Sequence, residues 1–309
     1  MSPFSREGRG LGMDAALLAM VVIWAGNYSL TKWVFREMPP TAFNAVRMAI
    51  ASAVFLVLLR RTAGGDIPRR DWLALVGLGI VGHFVYQLGF IGGLARTSVA
   101  NAALIIGCSP VAIALTTALA GHERIGRLHW LGAALSVVGL YLVAGRDAAM
   151  TSATLRGDLL MMGSVCCWAV YTVASRTLLA RHSPLVVTGY SMAFGTVLFL
   201  IATAPATLRA DWAAVSAWAW VGTIASAVLA LNVAYLIWYT AVQRIGNART
   251  SLFSNMVPVV AMLLAWAGLG ERIPPSTLAG AAAILSGVLV TRLGHRRDRT
   301  ERFEQPPEE

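Results

Sequence analysis

Trp24, Asn27, Tyr28 and Thr31 stand at i, i+3, i+4 and i+7 within the stretch WAGNYSLTK, a spacing that puts all four on one face of a helix. Trp168, Tyr171, Thr172 and Ser175 repeat the pattern in the second half of the chain. His83, Tyr86, Gln87 and Phe90 form another one-sided stripe, as do Asn232, Tyr235, Trp238 and Tyr239, while Ser254 and Asn255 lie just before Pro258. These groups offer hydrogen bonds and ring faces. A cation over such a ring gains about 0.5–2 kcal/mol, depending on desolvation. The chemistry is that of binding rather than bond-breaking, because no histidine cluster, paired deep carboxylates or nucleophile–base arrangement accompanies the stripes. An enzyme is therefore disfavoured, and no cofactor or metal site is expected.

The surrounding medium decides what the stripes face. Hydrophobic residues make up 57 % of the 309 and charged residues 13 %, against about a quarter charged in soluble domains. The apolar residues come in blocks of roughly 20, the length of helix that crosses a bilayer. Ten spans are predicted, over 14–35, 40–59, 72–94, 98–120, 127–145, 157–179, 184–204, 214–241, 247–269 and 275–293. The first run is too long for a signal-peptide core and reads as a retained span. Polar groups in hydrocarbon are costly and turn toward a bundle interior or a wet cavity. The stripes are thus expected to line a substrate cavity, with hydrogen bonding between helices as the alternative.

Placing the N terminus in the cytoplasm puts more than twice as many of the 25 lysines and arginines on the inner flanks as on the outer ones, so both termini are expected inside. The net charge of +10 is scattered between apolar blocks and calls for no nucleic-acid partner. Cys108, Cys166 and Cys167 all lie in apolar runs and read as buried small hydrophobes.

The halves align. At an offset of 148, Arg96 meets Arg244, Pro110 meets Pro258, Glu123-Arg124 meets Glu271-Arg272 and Gly139 meets Gly287. Earlier in each half the offset is 144, pairing Trp24-Ala25 with Trp168-Ala169 and Pro40 with Pro184. Each half has five spans, an odd number, so the second enters the membrane inverted. Inverted repeats typify secondary transporters with midplane sites. The expected architecture is all-α and integral to the membrane, with ten transmembrane helices in two inverted five-helix repeats: 1–13 an N-terminal cytoplasmic segment, 14–145 and 157–293 the repeats, 294–309 a cytoplasmic tail.

The Trp-Ala pairs in spans one and six, the prolines before spans two and seven, Arg47 within span two, and the Pro-then-Glu ends of spans four and nine resemble the drug/metabolite transporter superfamily, in particular its EamA-type ten-helix members. The resemblance covers about 14–293. It implies a central cavity and export of amino acids or related small metabolites across a bacterial inner membrane, with a small-molecule substrate, the lipid bilayer, and a monomer or homodimer. A passive facilitator or channel, a membrane enzyme, and a non-transporting partner protein are the alternatives.

Arg47 lies seven residues past Pro40, about 10 Å into the membrane at 1.5 Å per residue. It is expected to be a structural or gating clamp, held by helix-end carbonyls or by Glu271. Pro110, Pro258, Glu123 and Glu271 join it as gating or structural positions. His83 is the candidate for coupling transport to protons, with a satisfied neutral histidine as the alternative. Lys32, near the end of its span, is expected to snorkel.

Overall fold

The computed structural model describes residues 4–62, 67–120, 127–144 and 152–304, and among these all regular structure is helical. The first repeat comprises α1 (Phe4–Val34), α2 (Pro40–Arg61), α3 (Arg69–Gly79), a π-helical segment (Ile80–Val85), α4 (Tyr86–Leu94), α5 (Val99–Gly107), α6 (Ser109–Leu119) and α7 (Arg127–Ala144). The second comprises α8 (Ser152–Leu179), α9 (Pro184–Leu208), a 3₁₀ turn (Trp212–Ala214), α10 (Ala217–Ala225), a π-helical segment (Ser226–Val233), α11 (Ala234–Ser254), α12 (Met256–Leu269) and α13 (Pro275–Glu304). Seven helical stretches are long and apolar enough to cross a membrane, and three shorter apolar helices accompany them among the described residues.

Helix starts follow local chemistry. Pro40 and Pro184 occupy first turns, where a missing N–H leaves nothing unpaired. Ser98, Ser183 and Ser216 cap α5, α9 and α10 by accepting N–H groups from Asn101, Val186 and Ala219.

Three departures from regularity matter. Span four is not continuous but breaks at Cys108, and span nine breaks at Asn255. Both breaks stand just ahead of Pro110 and Pro258, each of which withholds an N–H and crowds the carbonyl four residues back. Spans three and eight each carry a π-helical insertion, ending at Val85 and Val233, which are repeat mates. The third departure corrects a boundary. Helix α11 runs unbroken through 242–246, where the sequence suggests a loop. The equivalent joint in the first half is opened by the Ser98 cap, whose mate is Gly246, a residue with no side chain to cap with.

Direct contacts between repeat mates display the inverted symmetry. Ser52 and Thr196, mates at offset 144, share a hydrogen bond of 2.7 Å where α2 packs on α9. In the α7–α13 pair, a Cβ on Gly139 would lie 2.6 Å from Ile284 Cγ1 and 2.8 Å from the Gly280 carbonyl. Gly287 stands in the mirrored relation to Ser136 and the Gly132 carbonyl, 2.5 Å from each. Small residues here let backbones touch, as between membrane helices generally. Gly107 likewise abuts the Pro258 ring, so the two proline breaks pack on each other.

Candidate functional site

Spans one, three, six and eight bring their stripes together at the centre. The Trp24 ring lies 6.0 Å from Tyr235 and 5.7 Å from Trp238. Trp168 lies 5.7 Å from Tyr86, 5.8 Å from Tyr171 and 5.8 Å from Tyr235. Tyr28 meets Phe90 at 5.5 Å, and Tyr239 lies 6.3 Å from Tyr235 and 6.4 Å from Tyr171. His83 sits 5.2 Å from Tyr171 and 6.2 Å from Tyr235. All are buried or nearly so, and the rings close on one another, so the centre is occluded in this conformation. The π segment of span eight is tied in by Trp24, whose indole N–H donates to the Ala230 carbonyl at 3.1 Å. A π insertion frees carbonyls of this kind and recurs at functional sites.

Beside the rings lies a polar network that the stripes only partly foretell. Arg47 is 1 % exposed. Its Nη2 donates to Gln87 Oε1 at 2.8 Å, its Nε to Asn44 Oδ1 at 3.0 Å and its Nη1 to Ser226 Oγ at 3.3 Å. Its Cζ stands 5.5 Å from the Phe43 ring centroid. Ser226 in turn donates to Asn27 Oδ1 at 2.5 Å. Spans one, two, three and eight thus meet at one guanidinium. Asn232 donates to the Ala51 carbonyl at 3.0 Å, one turn further along α2. Thr31 is fully buried. Ser254 and Asn255 are only partly buried, at the break ahead of Pro258.

Neither of the partners expected for Arg47, helix-end carbonyls or Glu271, is the one it meets. Glu271 instead accepts the Val99 N–H at 3.0 and 3.1 Å and the Ala100 N–H at 3.4 Å, capping α5 where the helix dipole favours an anion. Lys32 does not snorkel. Its ammonium donates to the Leu94 carbonyl at 2.9 Å and to the Thr97 carbonyl, closing the opposite terminus at the same joint. Carbonyls at a helix end are a better partner for a half-buried ammonium than the lipid boundary. Glu271→Ala leaves two helix-start N–H groups without their acceptor. A loss of about 1–2 kcal/mol is expected, read as a lowered thermal midpoint of the detergent-solubilised protein, with Glu271→Gln intermediate. Glu123, the mate of Glu271, lies outside the described residues. Of the cysteines, Cys108 is buried, whereas Cys166 is exposed and Cys167 only half-buried, because α8 turns Cys166 outward.

Two contacts at opposite ends of the bundle were not foreseen. Asp71, in the first turn of α3, is buried and lies 3.0 Å from Arg181 Nη2 and 2.7 Å from His182 Nε2, which follow α8. At the other end, Glu37 accepts the Ser216 N–H at 2.8 Å. Hydrogen bonds from Ser216, hydroxyl first and backbone second, hold the Glu37 carboxyl below the usual carboxylate range. Arg181 is the repeat mate of Glu37, so the two contacts occupy equivalent places in the inverted halves. The visible signal for Asp71 is a lone acid after two arginines at a span start. A separate crevice of about 460 Å³, bordered by Thr41, Leu88, Arg96 and Phe199, opens between α2, α4 and α9 near the start of α2.

A polytopic helical bundle of two inverted halves, each broken at a proline and carrying a π insertion, defines a membrane transporter. The chain belongs to the EamA-like transporter family, whose model matches residues 11–145 and again 155–293. It is 29 % identical to the uncharacterized transporter YyaM of Bacillus subtilis, over 90 % of this chain and 93 % of that one. It is also 29 % identical to a probable terminal-alkyne amino-acid exporter of Streptantibioticus cattleyicolor, over 92 % and 95 % of the two chains. A solved crystal structure, 23 % identical, shares the fold with a TM-score of 0.66 over 93 % of this chain and 98 % of that one. The family is one of transporters and not of enzymes.

Proposed function

We propose that this protein exports amino acids or related small metabolites across a bacterial inner membrane by alternating access, with both termini cytoplasmic. The observation that carries the reading is the closed ring cluster drawn from both repeats, with a contact sealing the bundle on either side of it. Rocking one half against the other would open the Glu37–Ser216 end or the Asp71–Arg181–His182 end in turn. The family supplies the transport class, and the Streptantibioticus relative supplies the precedent for amino-acid cargo. Trp24, Asn27, Tyr28, Thr31, Tyr86, Gln87, Trp168, Tyr171, Asn232, Tyr235, Trp238 and Tyr239 then serve as the substrate-facing set. The coupling role falls to His83, the fully buried imidazole among the rings.

Everted membrane vesicles carrying the full chain, offered radiolabelled L-amino acids under an imposed proton gradient, test the proposal. Concentrative uptake of at least one compound is expected, falling more than tenfold in Tyr235→Ala and Asn27→Ala. Uptake that both substitutions leave intact would count against the placement of the site. Flux that only equilibrates would make the protein a facilitator.

A further inference from the structure

The Arg47 guanidinium carries a full positive charge at the centre of the bundle, yet Asn44, Gln87, Ser226 and the Phe43 ring, all neutral, surround it. No carboxylate among the described residues is within ion-pairing distance of it. Three of its five N–H donors are used by these contacts. Burying an ion without a counter-charge is costly, and neutral acceptors offset only part of that cost.

The repeat shows that the fold has no need of this charge. Arg47, Asn27 and Gln87 have as mates Ser191, Tyr171 and Tyr235, which occupy the corresponding places in the other half. There the Ser191 hydroxyl donates to the Val187 carbonyl at 2.7 Å, and Tyr171 Oη stands 3.4 Å away. The same helix junction is therefore built with neutral groups. A structural clamp required by the architecture would be expected in both halves.

A second set of unmet groups lies close by. Asn232 is 3 % exposed, and while its Nδ2 is bonded to Ala51, its Oδ1 has no hydrogen-bond partner among the described residues. Ala51 follows Arg47 by four residues, so Asn232 is anchored to α2 one helical turn beyond the Arg47 backbone. An uncompensated cation and an unfilled acceptor, held against successive turns of one helix, suit a small molecule that carries both a carboxylate and an N–H donor.

We infer that Arg47 is the subsite for a substrate carboxylate, with Asn232 Oδ1 accepting from the neighbouring amino group. The inference rests on the transport reading above and adds the charge and group that a cargo must carry. Arg offers a planar pair of N–H donors that fits a carboxylate's two oxygens, which an amide cannot reproduce. When the ring cluster opens, the incoming anion supplies the counter-charge, and the closed centre is stabilised only once it is filled.

The test uses the full chain in proteoliposomes and three matched sets of probes: the L-amino acids, their α-amides, and the amines left when the carboxyl group is removed. At least one acid is expected to be transported and to raise the thermal midpoint, with its amide and amine at least tenfold weaker. Arg47→Gln should abolish the preference. Gln87→Glu, which keeps the arginine and supplies it with an internal carboxylate, should raise the midpoint of the unliganded protein while abolishing the response to acids. Amides or amines handled as well as the acids would overturn the carboxylate subsite and leave the exporter standing. An undiminished acid response in Arg47→Gln or Gln87→Glu would also overturn it. No response to any of the three sets would overturn both readings.

Discussion

Gly195→Val is expected to yield no monodisperse protein after detergent extraction, while Gly163→Val extracts like the parent. A Cβ on Gly195 would press on the His83 Cβ, stand 2.6 Å from the Gly79 carbonyl oxygen and 3.1 Å from the Phe84 nitrogen. From the facing helix, a Cβ on Gly79 would stand 2.6 Å from the Ser191 carbonyl oxygen and 2.9 Å from Phe194 Cβ. Backbone atoms cannot rotate out of the way, so α3 and α9 would have to separate. Overpacking of side chains in a core costs about 1–3 kcal/mol. Here the clash is with main chain on both partners, and a cost above about 3 kcal/mol is expected. That is a large share of the 5–15 kcal/mol that typically holds a folded protein together. Nothing lies within 4 Å of the Cβ position on Gly163. Gly163→Ala should even be mildly stabilising, by up to about 1 kcal/mol, because alanine is the better helix former. Size-exclusion chromatography of a fluorescent fusion reads both outcomes. A normal peak for Gly195→Val would mean that spans three and seven are not in backbone contact. The contact also has a functional side, since Gly79 immediately precedes the π segment that carries His83 into the ring cluster.

Much of this was readable from residue spacing. The period of the stripes put Trp24, Asn27 and Tyr28 on one face, and the fold places all three against spans three and eight. The offset of 148 makes Gly139 and Gly287 repeat mates, and the fold adds that each meets the other half's backbone in a mirrored contact. The partners of charged groups were less legible. Spacing along one helix shows which way Arg47 points but not which neighbouring helix meets it, and neither helix-end carbonyls nor Glu271 is its partner. Glu271 and Lys32 serve the two helix ends at the Ala95–Ser98 joint, and that need becomes apparent only once α12 is seen to end there. The π insertions have no compositional signature in IVGHFV or SAVLALNV. The one in span eight is held from outside its own helix, by the Trp24 bond to Ala230. The loop expected at 242–246 is absent because no proline or capping residue stands there, and backbone hydrogen bonding continues through it to Ser254.

Removing both partners of Asp71 should be more damaging than removing Asp71 itself. Arg181→Ala with His182→Ala leaves a buried carboxylate without either partner. Stripping one side of a buried pair costs about 3–5 kcal/mol, but half of the Arg181 side chain is exposed and water screens it, so about 2 kcal/mol is the expected loss. Asp71→Ala alone frees two groups that can reach solvent, and its cost should stay within about 1 kcal/mol. Adding Asp71→Ala to the double variant should therefore restore most of the lost stability, a reversal that independent contributions would not give. Thermal midpoints of the four proteins in the same detergent measure the cycle, and a triple variant no more stable than the double one would refute it. The transport consequence runs the other way. Asp71→Ala removes the ionic tie at its end while leaving the Glu37–Ser216 hydrogen bond intact, so the Asp71 end should open more readily than the Glu37 end. Alternating access needs both openings at comparable free energy, and a one-sided gain slows the return step. Turnover should accordingly fall severalfold in Asp71→Ala although the protein remains folded, and fall similarly in Glu37→Ala from the opposite bias. Combining the two substitutions rebalances the ends, and recovery of part of the lost turnover in that double variant is the signature of two latches acting on one rocking equilibrium.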